Sequence, residues 1–242
     1  MDNDKRDLGP CAISVERKPC VALSWGMTSN APLLTTPDAD CGLCPRLKAY
    51  REANRAAHPD WFNAPVPCFG DEKAQLLIVG LAPGVTGANR TARPFTGDWA
   101  GDLLYATLDK FGLSKGVYAQ HKDDGLELVN TMITNAVRCV PPQNKPIGAE
   151  MTACRGFLQG RLDSMVNLKV VLSLGKISHD NVLRARGMKL SEAKFAHGAC
   201  HDMNGLTLID SYHCSRYNTN TRRLTTQMFE DVFALVQQKL AQ

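Results

Sequence analysis

The stretch AQLLIVGLAPGVTGANRTARPFTGD, residues 74–98, joins a short apolar run to a long loop rich in glycine. The run 74–80 has the length and aliphatic character of a buried strand. Glycines directly after a strand allow backbone N–H groups to approach a phosphate or a ring closely. The loop has neither the Gly-Lys-Ser/Thr of a Walker loop nor the spacing of the dinucleotide-binding fingerprint. An irregular connection from strand to helix is the alternative interpretation.

Three more apolar runs resemble 74–80, and helical stretches lie between or after the runs. The runs are 128–137, 168–175 and 206–212, and the helical stretches are 43–57, 98–112, 149–166, 175–187 and 223–241. This alternation predicts an α/β fold around a mostly parallel, four-stranded sheet. Ligands bind outside the carboxyl ends of such strands. We therefore expect the four loops that begin there, GLAPG, NAVRC, SLGK and YHCS, to converge on one site.

Composition and charge set wide limits on the function. The 242 residues are 44% hydrophobic and 21% charged, with a net charge of +4, which permits a nucleic-acid partner without requiring one. No apolar run approaches the length of a membrane span and no secretory signal is visible, so we expect a cytoplasmic protein with no membrane contact. Residues 1–40 contain four prolines and no periodicity. They predict a loosely ordered N-terminal extension to a domain at 41–242.

Four of the nine cysteines form a pattern. Cys41 and Cys44 are a closely spaced pair, and Cys139 and Cys154 follow singly. A structural zinc site usually closes with a second tight pair, and a redox Cys-x-x-Cys needs no further cysteines. A pair plus two scattered thiolates suits an iron–sulfur cubane, which tolerates uneven spacing. Four unrelated free cysteines remain the alternative.

Several residues in the loops after the predicted strands have both a structural and a functional interpretation. Asp98 could simply cap the helix that begins near Trp99. Phe95 fits the core as well as a stacking surface, and a single histidine such as His213 is more often structural. The hydroxyls, amides and arginines of 215–223 nevertheless suggest an anionic partner.

Together, these segments resemble the type-5 uracil-DNA glycosylases, relatives of type 4. The resemblance rests on GLAPGVTGANRT, RPFTGD, NAVRCVPPQNKP, the four cysteines and YHCSRYNTNTRRLT, and it covers roughly residues 41–240. It implies a three-layer α/β/α sandwich with a [4Fe–4S] cluster. It also implies a monomer that removes uracil, and other deaminated bases such as hypoxanthine, from double-stranded DNA.

The resemblance gives individual residues their expected roles. Cys41, Cys44, Cys139 and Cys154 match the cluster ligands. Phe95 matches the aromatic residue that stacks on the flipped base, Asn135 the amide that reads its edge, His213 the histidine beside the uracil carbonyl, and Asp98 the acidic residue of the reaction. The remaining expected substrate contacts are Gly80, Ala82, Gly84 and Asn89. The expected DNA contacts are Arg90, Arg93, Ser215, Asn218 and Arg222.

Two departures from the wider superfamily matter. Ala82 stands where several members carry an Asp or Asn that activates water, which is a type-5 trait. Cys214 replaces the family's proline after the histidine. A non-catalytic iron–sulfur nucleic-acid-binding protein and an iron–sulfur electron carrier remain rival hypotheses. The set Phe95, Asn135 and His213 disfavours both, because neither function requires a base pocket.

Overall fold

A computed structural model describes residues 35–242 of the chain. The N-terminal extension predicted for residues 1–40 therefore lies almost wholly outside the described residues. Between residues 35 and 242, no helix is both long enough and apolar enough to cross a membrane.

The central sheet has six strands, and its four inner strands run parallel. The strands in chain order are β1 (Phe69–Gly70), β2 (Leu76–Gly80), β5 (Thr131–Asn135), β6 (Val170–Leu174), β7 (Cys200–Asp202) and β8 (Thr207–Ser211), and their spatial order is β1-β5-β2-β6-β8-β7. Strands β3 (Ser114–Lys115) and β4 (Glu127–Leu128) pair separately. The four predicted strands are confirmed as the parallel centre. The antiparallel edges β1 and β7 were not predicted, because two or three residues carry no periodic signal.

Helices cover both faces of this sheet. They are α1 (Pro45–Ala57), α2 (Ala88–Thr91), α3 (Trp99–Lys110), α4 (Gly148–Ser164), α5 (Lys176–Ala185), α6 (Arg216–Asn220) and α7 (Thr226–Leu240), with a 3-10 turn at Pro142–Asn144. The five long helices match the predicted stretches within about three residues at each end, the usual uncertainty of helix boundaries. The short helices α2 and α6 were not predicted.

The side chains of β2 alternate between the two faces of the sheet, and each face packs against its own layer of helices. Leu76 and Ile78 point into a core shared with α3 and α7, whereas Leu77 and Val79 point into a core shared with α4 and α5. Every residue of β2 is buried, as expected of a strand covered on both faces. Burying one such side chain stabilises the fold by roughly 1.5–3 kcal/mol. The predicted three-layer α/β/α sandwich is confirmed.

Candidate active site

One cavity of about 410 Å³ opens at the carboxyl ends of the parallel strands. Its wall consists of loop 81–88, Phe95, the start of α3 at 98–100, Asn135, Asn144 and the segment 213–216 without Cys214. Three of the four expected loops therefore converge. The loop SLGK does not line the cavity. Gly175 of this loop lies behind His213, since a Cβ on Gly175 would be 3.5 Å from the His213 Cβ.

Asp98 both caps a helix and faces the cavity. Its Oδ1 accepts a hydrogen bond from the Gly101 backbone N–H at 3.1 Å, which caps the N-terminus of α3. Its Oδ2 faces the opposite loop, where a Cβ on Gly87 would lie only 2.6 Å away and one on Gly84 3.4 Å away. Burial raises the pKa of this carboxyl above its ordinary value, although backbone N–H groups oppose the shift. The two interpretations of Asp98 are thus compatible, because each uses a different oxygen.

His213 lines the cavity as a neutral imidazole. Burial lowers its pKa to about 4, so the ring carries no charge at neutral pH. The Asn218 amide donates to the His213 backbone carbonyl at 2.8 Å and fixes the start of the loop. A neutral imidazole can donate one hydrogen bond into the cavity without bringing a permanent positive charge there. Cys214, the next residue, is fully buried in the core.

Phe95 and Asn135 meet over Gly80. Gly80 is the last residue of β2 and is paired in register with Asn135 of β5. A Cβ on Gly80 would lie 2.6 Å from Phe95 Cζ and would also clash with Asn135 Oδ1. The glycine therefore lets the ring and the amide approach the strand end closely. The ring of Phe95 lies 5.9 Å from that of His213, so three predicted base contacts surround one space.

Arg93 does not face the cavity, and its assignment as a DNA contact is wrong. Its guanidinium forms a buried bidentate ion pair with Asp124, with both N–O distances 2.7 Å. The rings of Phe69, Tyr105 and Tyr118 surround it at 5.1–5.7 Å. A guanidinium paired in this way would leave an uncompensated buried carboxylate if it turned outward.

Asn89 is also internal, and its assignment as a substrate contact is wrong. Its side chain is buried and donates to Asn63 Oδ1 at 2.9 Å. Its backbone N–H binds the Gly84 carbonyl, which closes the loop that leads into α2. Asn89 thus stabilises the wall of the cavity from behind.

The other expected DNA contacts differ in their positions. Ser215 lines the cavity and accepts the Asn218 N–H at 3.4 Å, so it caps α6. The Asn218 side chain is engaged with the backbone of His213. Arg90 and Arg222 are exposed, and neither lines the cavity. Phosphate binding by these four residues stays a prediction.

The rim contains residues that sequence reasoning missed. Trp99 is 45% exposed, its indole N–H donates to Thr219 Oγ1 at 3.0 Å, and the Arg216 guanidinium lies 4.8 Å from its ring. These contacts connect the start of α3 with α6 across the mouth of the cavity. Asn144, the last residue of the 3-10 turn, has a left-handed conformation and completes the rim. The available signal is the aromatic residue directly after Asp98, although the start of a helix accounts for it equally well.

The four cysteines expected to hold a cluster lie around a second, smaller cavity. Cys41, Cys44, Cys139 and Cys154 line it together with Arg51. Arg51 donates to Cys139 Sγ at 3.4 Å, and the backbone N–H of Arg138 approaches Cys154 Sγ at 3.4 Å. Arg51 is buried, and its Nε has no hydrogen-bond partner among the described residues. Four sulfurs beside a buried cation fit an anionic metal–sulfur group.

Burial also determines the protonation of these thiols. It raises the pKa of Cys44, Cys139 and Cys154, the last to about 12, so they are protonated thiols when no metal is bound. Ala82 of the active-site loop packs against this cysteine group and also lines the large cavity. Ala82 therefore contacts both the large cavity and the cluster that contains Cys139 and Cys154.

A third polar group lies between β8, β7 and α5. Asp210 binds His179 Nδ1 at 2.8 Å and His201 Nε2 at 3.1 Å, and it accepts the Ser173 hydroxyl at 2.7 Å. The second nitrogen of His179 faces the Ala193 carbonyl at 3.1 Å. Burial lowers the pKa of His179, but the hydrogen bond to Asp210 outweighs this, and the net shift is upward. The polar atoms of this group form their hydrogen bonds within the protein, so we assign the group a role in stabilising the fold.

Comparison with known proteins shows which family this chain resembles. The model of the family described as the uracil DNA glycosylase superfamily matches residues 67–237. A type-5 uracil-DNA glycosylase of Thermus thermophilus is 44% identical over 79% of this chain and 90% of its own length. Proteins of the same name from Pyrobaculum aerophilum and Mycobacterium leprae are 38% and 39% identical over 80% and 86% of this chain, and over 86% and 95% of their own lengths.

Proposed function

The chain belongs to the uracil-DNA glycosylase superfamily, in its type-5 branch, and from this premise we propose how its own residues excise uracil from DNA. The enzyme hydrolyses the N-glycosidic bond of uracil and leaves an abasic site for repair. The observation that carries the residue assignments is the meeting of Phe95, Asn135, Asp98 and His213 in one cavity. A stacked base is inaccessible to such a cavity, so the nucleotide must be flipped out of the duplex.

The base stacks on the Phe95 ring, which itself packs against Gly80 at the end of β2. Asn135 offers both an amide donor and a carbonyl acceptor, which match the carbonyl and ring N–H of the uracil edge. Gly80 lets the Phe95 ring and the Asn135 amide, which both line the cavity, pack closely against the end of the strand. The cavity, at about 410 Å³, lies within the usual size range of small-molecule sites, and we extend the proposal to the larger base hypoxanthine.

His213 stabilises the departing base. Negative charge develops on the uracil oxygens as the glycosidic bond breaks, and a fixed N–H donor is worth most at that moment. The lowered pKa of His213, about 4, means that the ring donates a hydrogen bond and keeps its proton. The same neutrality avoids the cost of a buried positive charge before the base enters.

Asp98 acts on the sugar side of the bond. Its Oδ1 is fixed by the Gly101 N–H, so Oδ2 is held in one orientation toward loop 84–87. The negative carboxylate stabilises the positive charge that develops on the sugar, and it orients the attacking water. Ala82 offers no acid or amide for this step, which leaves Asp98 as the acidic side chain among the cavity residues.

We further propose that Cys41, Cys44, Cys139 and Cys154 hold a [4Fe–4S] cluster. When bound, this group supplies structural cross-linking of distant segments. The four cysteines would tie α1 and α4 to the segment after β5. Arg51 would then balance the negative charge of the thiolates, which accounts for its burial beside Cys139. Through Ala82, this cross-link would stiffen the active-site loop.

The test is a strand-cleavage assay on matched duplexes. Purified protein is incubated with DNA that contains one uracil, one hypoxanthine or one thymine at the same position, and alkali then cuts the abasic sites. We expect breaks at uracil and hypoxanthine and none at thymine. DNA binding without breaks would instead support the non-catalytic DNA-binding alternative. Cleavage at uracil alone would restrict the proposal to that base.

A further inference from the structure

The backbone between Arg93 and Asp98 adopts an unfavourable conformation. Phe95 has a φ of +53° and Gly97 a φ of +83°. A left-handed conformation suits glycine but is unfavourable for a residue with a Cβ, so surrounding groups must hold Phe95 in place. This turn sets the positions of both Phe95 and Asp98, because it joins the two residues and both line the cavity.

The hydroxyl of Tyr118 binds this turn at two points. It accepts the Gly97 N–H at 3.3 Å and lies 3.2 Å from the Phe95 carbonyl, to which it donates. Tyr118 belongs to the segment between β3 and β4 and does not line the cavity. Its hydroxyl also lies against Gly101, where an added Cβ would come within 2.6 Å of it. Gly101 is the residue whose N–H fixes Asp98.

Tyr118 is itself held firmly. Its ring stacks on Tyr105 with a centroid separation of 4.4 Å, and the Tyr105 hydroxyl donates to the Pro94 carbonyl at 2.7 Å. Asp124 accepts the N–H of Ala119, the next residue, at 2.9 Å while it pairs with Arg93. The buried ion pair thus connects the segment of Tyr118 to the start of the same turn.

We propose that Tyr118 is a positioning residue for base excision, whose hydroxyl fixes the turn that places Phe95 against the base and Asp98 at the sugar. The proposal rests on the function proposed above. Tyr118 does not line the cavity; it acts through the backbone of Phe95 and Gly97. Sequence spacing gives no sign of it, since 23 residues separate Tyr118 from Phe95.

The variant Tyr118→Phe removes the hydroxyl and keeps the ring that stacks on Tyr105. We expect the single-turnover rate on uracil DNA to fall about 10- to 100-fold, because a misplacement on the order of 1 Å is enough for such a loss. Affinity for the same duplex should change much less, because phosphate contacts supply most of it. The control is Tyr50→Phe, which removes a hydroxyl from α1, outside the residues that line the cavity.

The pH dependence of the rate distinguishes positioning from mere stabilisation. Burial raises the pKa of Asp98, and a loosened turn admits water and lowers that pKa again. The acid limb of the pH–rate profile should therefore move to lower pH in Tyr118→Phe. A variant that is only less stable loses activity in proportion to its folded fraction, which thermal melting measures.

Two results would overturn the proposal. One is a Tyr118→Phe enzyme with the wild-type rate and the wild-type acid limb. The other is a rate loss that disappears after correction for the folded fraction. Neither affects the proposed function, which fails only if the wild-type enzyme leaves uracil DNA intact.

Discussion

Replacing Asp98 by Asn and by Ala separates its two roles. Asparagine keeps an oxygen that can accept the Gly101 N–H and serves as well as aspartate at an N-cap, but it lacks the charge. Alanine lacks both. We therefore expect Asp98→Asn to melt near the wild-type temperature and Asp98→Ala to be destabilised by about 1 kcal/mol.

The two effects differ enough in size to be told apart. A loss of about 1 kcal/mol changes the folding equilibrium roughly fivefold, which leaves nearly all molecules folded in a protein stable by about 5–15 kcal/mol. Loss of a catalytic carboxylate costs about 10²–10⁴ in rate. Both variants should therefore cut uracil DNA at least about 100-fold more slowly than wild type, although only the alanine variant is less stable.

Single-turnover assays across pH complete the test. The wild-type rate should fall as the pH drops through the raised pKa of Asp98, above the ordinary carboxyl value of 3.8. His213 is neutral above its own pKa of about 4. Above that value, the acid limb should be absent from Asp98→Asn. An Asp98→Asn enzyme with wild-type rate and profile would show that Asp98 is only a helix cap.

Three further changes test other parts of the site. His213→Ala should lower the single-turnover rate by about 10²–10³ with little effect on DNA binding, and equal rates would exclude its role at the leaving group. Wild-type protein purified without oxygen should carry about four irons per chain, and Cys154→Ala should lose iron and colour; stoichiometric zinc would contradict the cluster. Gly80→Ala places a methyl 2.6 Å from Phe95 Cζ and against Asn135. It should abolish uracil cleavage while DNA affinity is kept, and full activity would place the base elsewhere.

Local pattern was sufficient to predict the parallel centre of the fold and much of the cavity. The strand β2 is aliphatic at every position because it is buried on both faces, and such a run is visible in sequence. The Gly and Pro residues of GLAPG mark the end of β2. The single histidine His213 marks the end of β8. Parallel strands bring their carboxyl ends to one edge, so residues 55 to 133 positions apart, such as Gly80, Asn135 and His213, could be expected together.

The directions and hydrogen-bond partners of polar side chains could be identified only from the tertiary structure. An arginine in a glycine-rich loop has the same sequence signature whether it faces DNA or a buried carboxylate, and Arg93 pairs with Asp124, 31 residues away. Asn89 has its partner, Asn63, in a segment with no periodic signal.

The α/β sandwich, its parallel strands and the family could all be predicted from the sequence, because hydrophobic runs and long contiguous motifs specify them. The tertiary structure was needed to find that Asp98 both caps α3 and faces the cavity, that burial leaves His213 neutral, and that the Tyr118 hydroxyl bonds the backbone of Phe95 and Gly97. Each buried strand is recognisable from its own run of apolar residues, so a short window of sequence is enough to predict it. Hydrogen-bond partners and pKa values instead depend on which distant groups share the same few ångströms, and on how much water is excluded from between them.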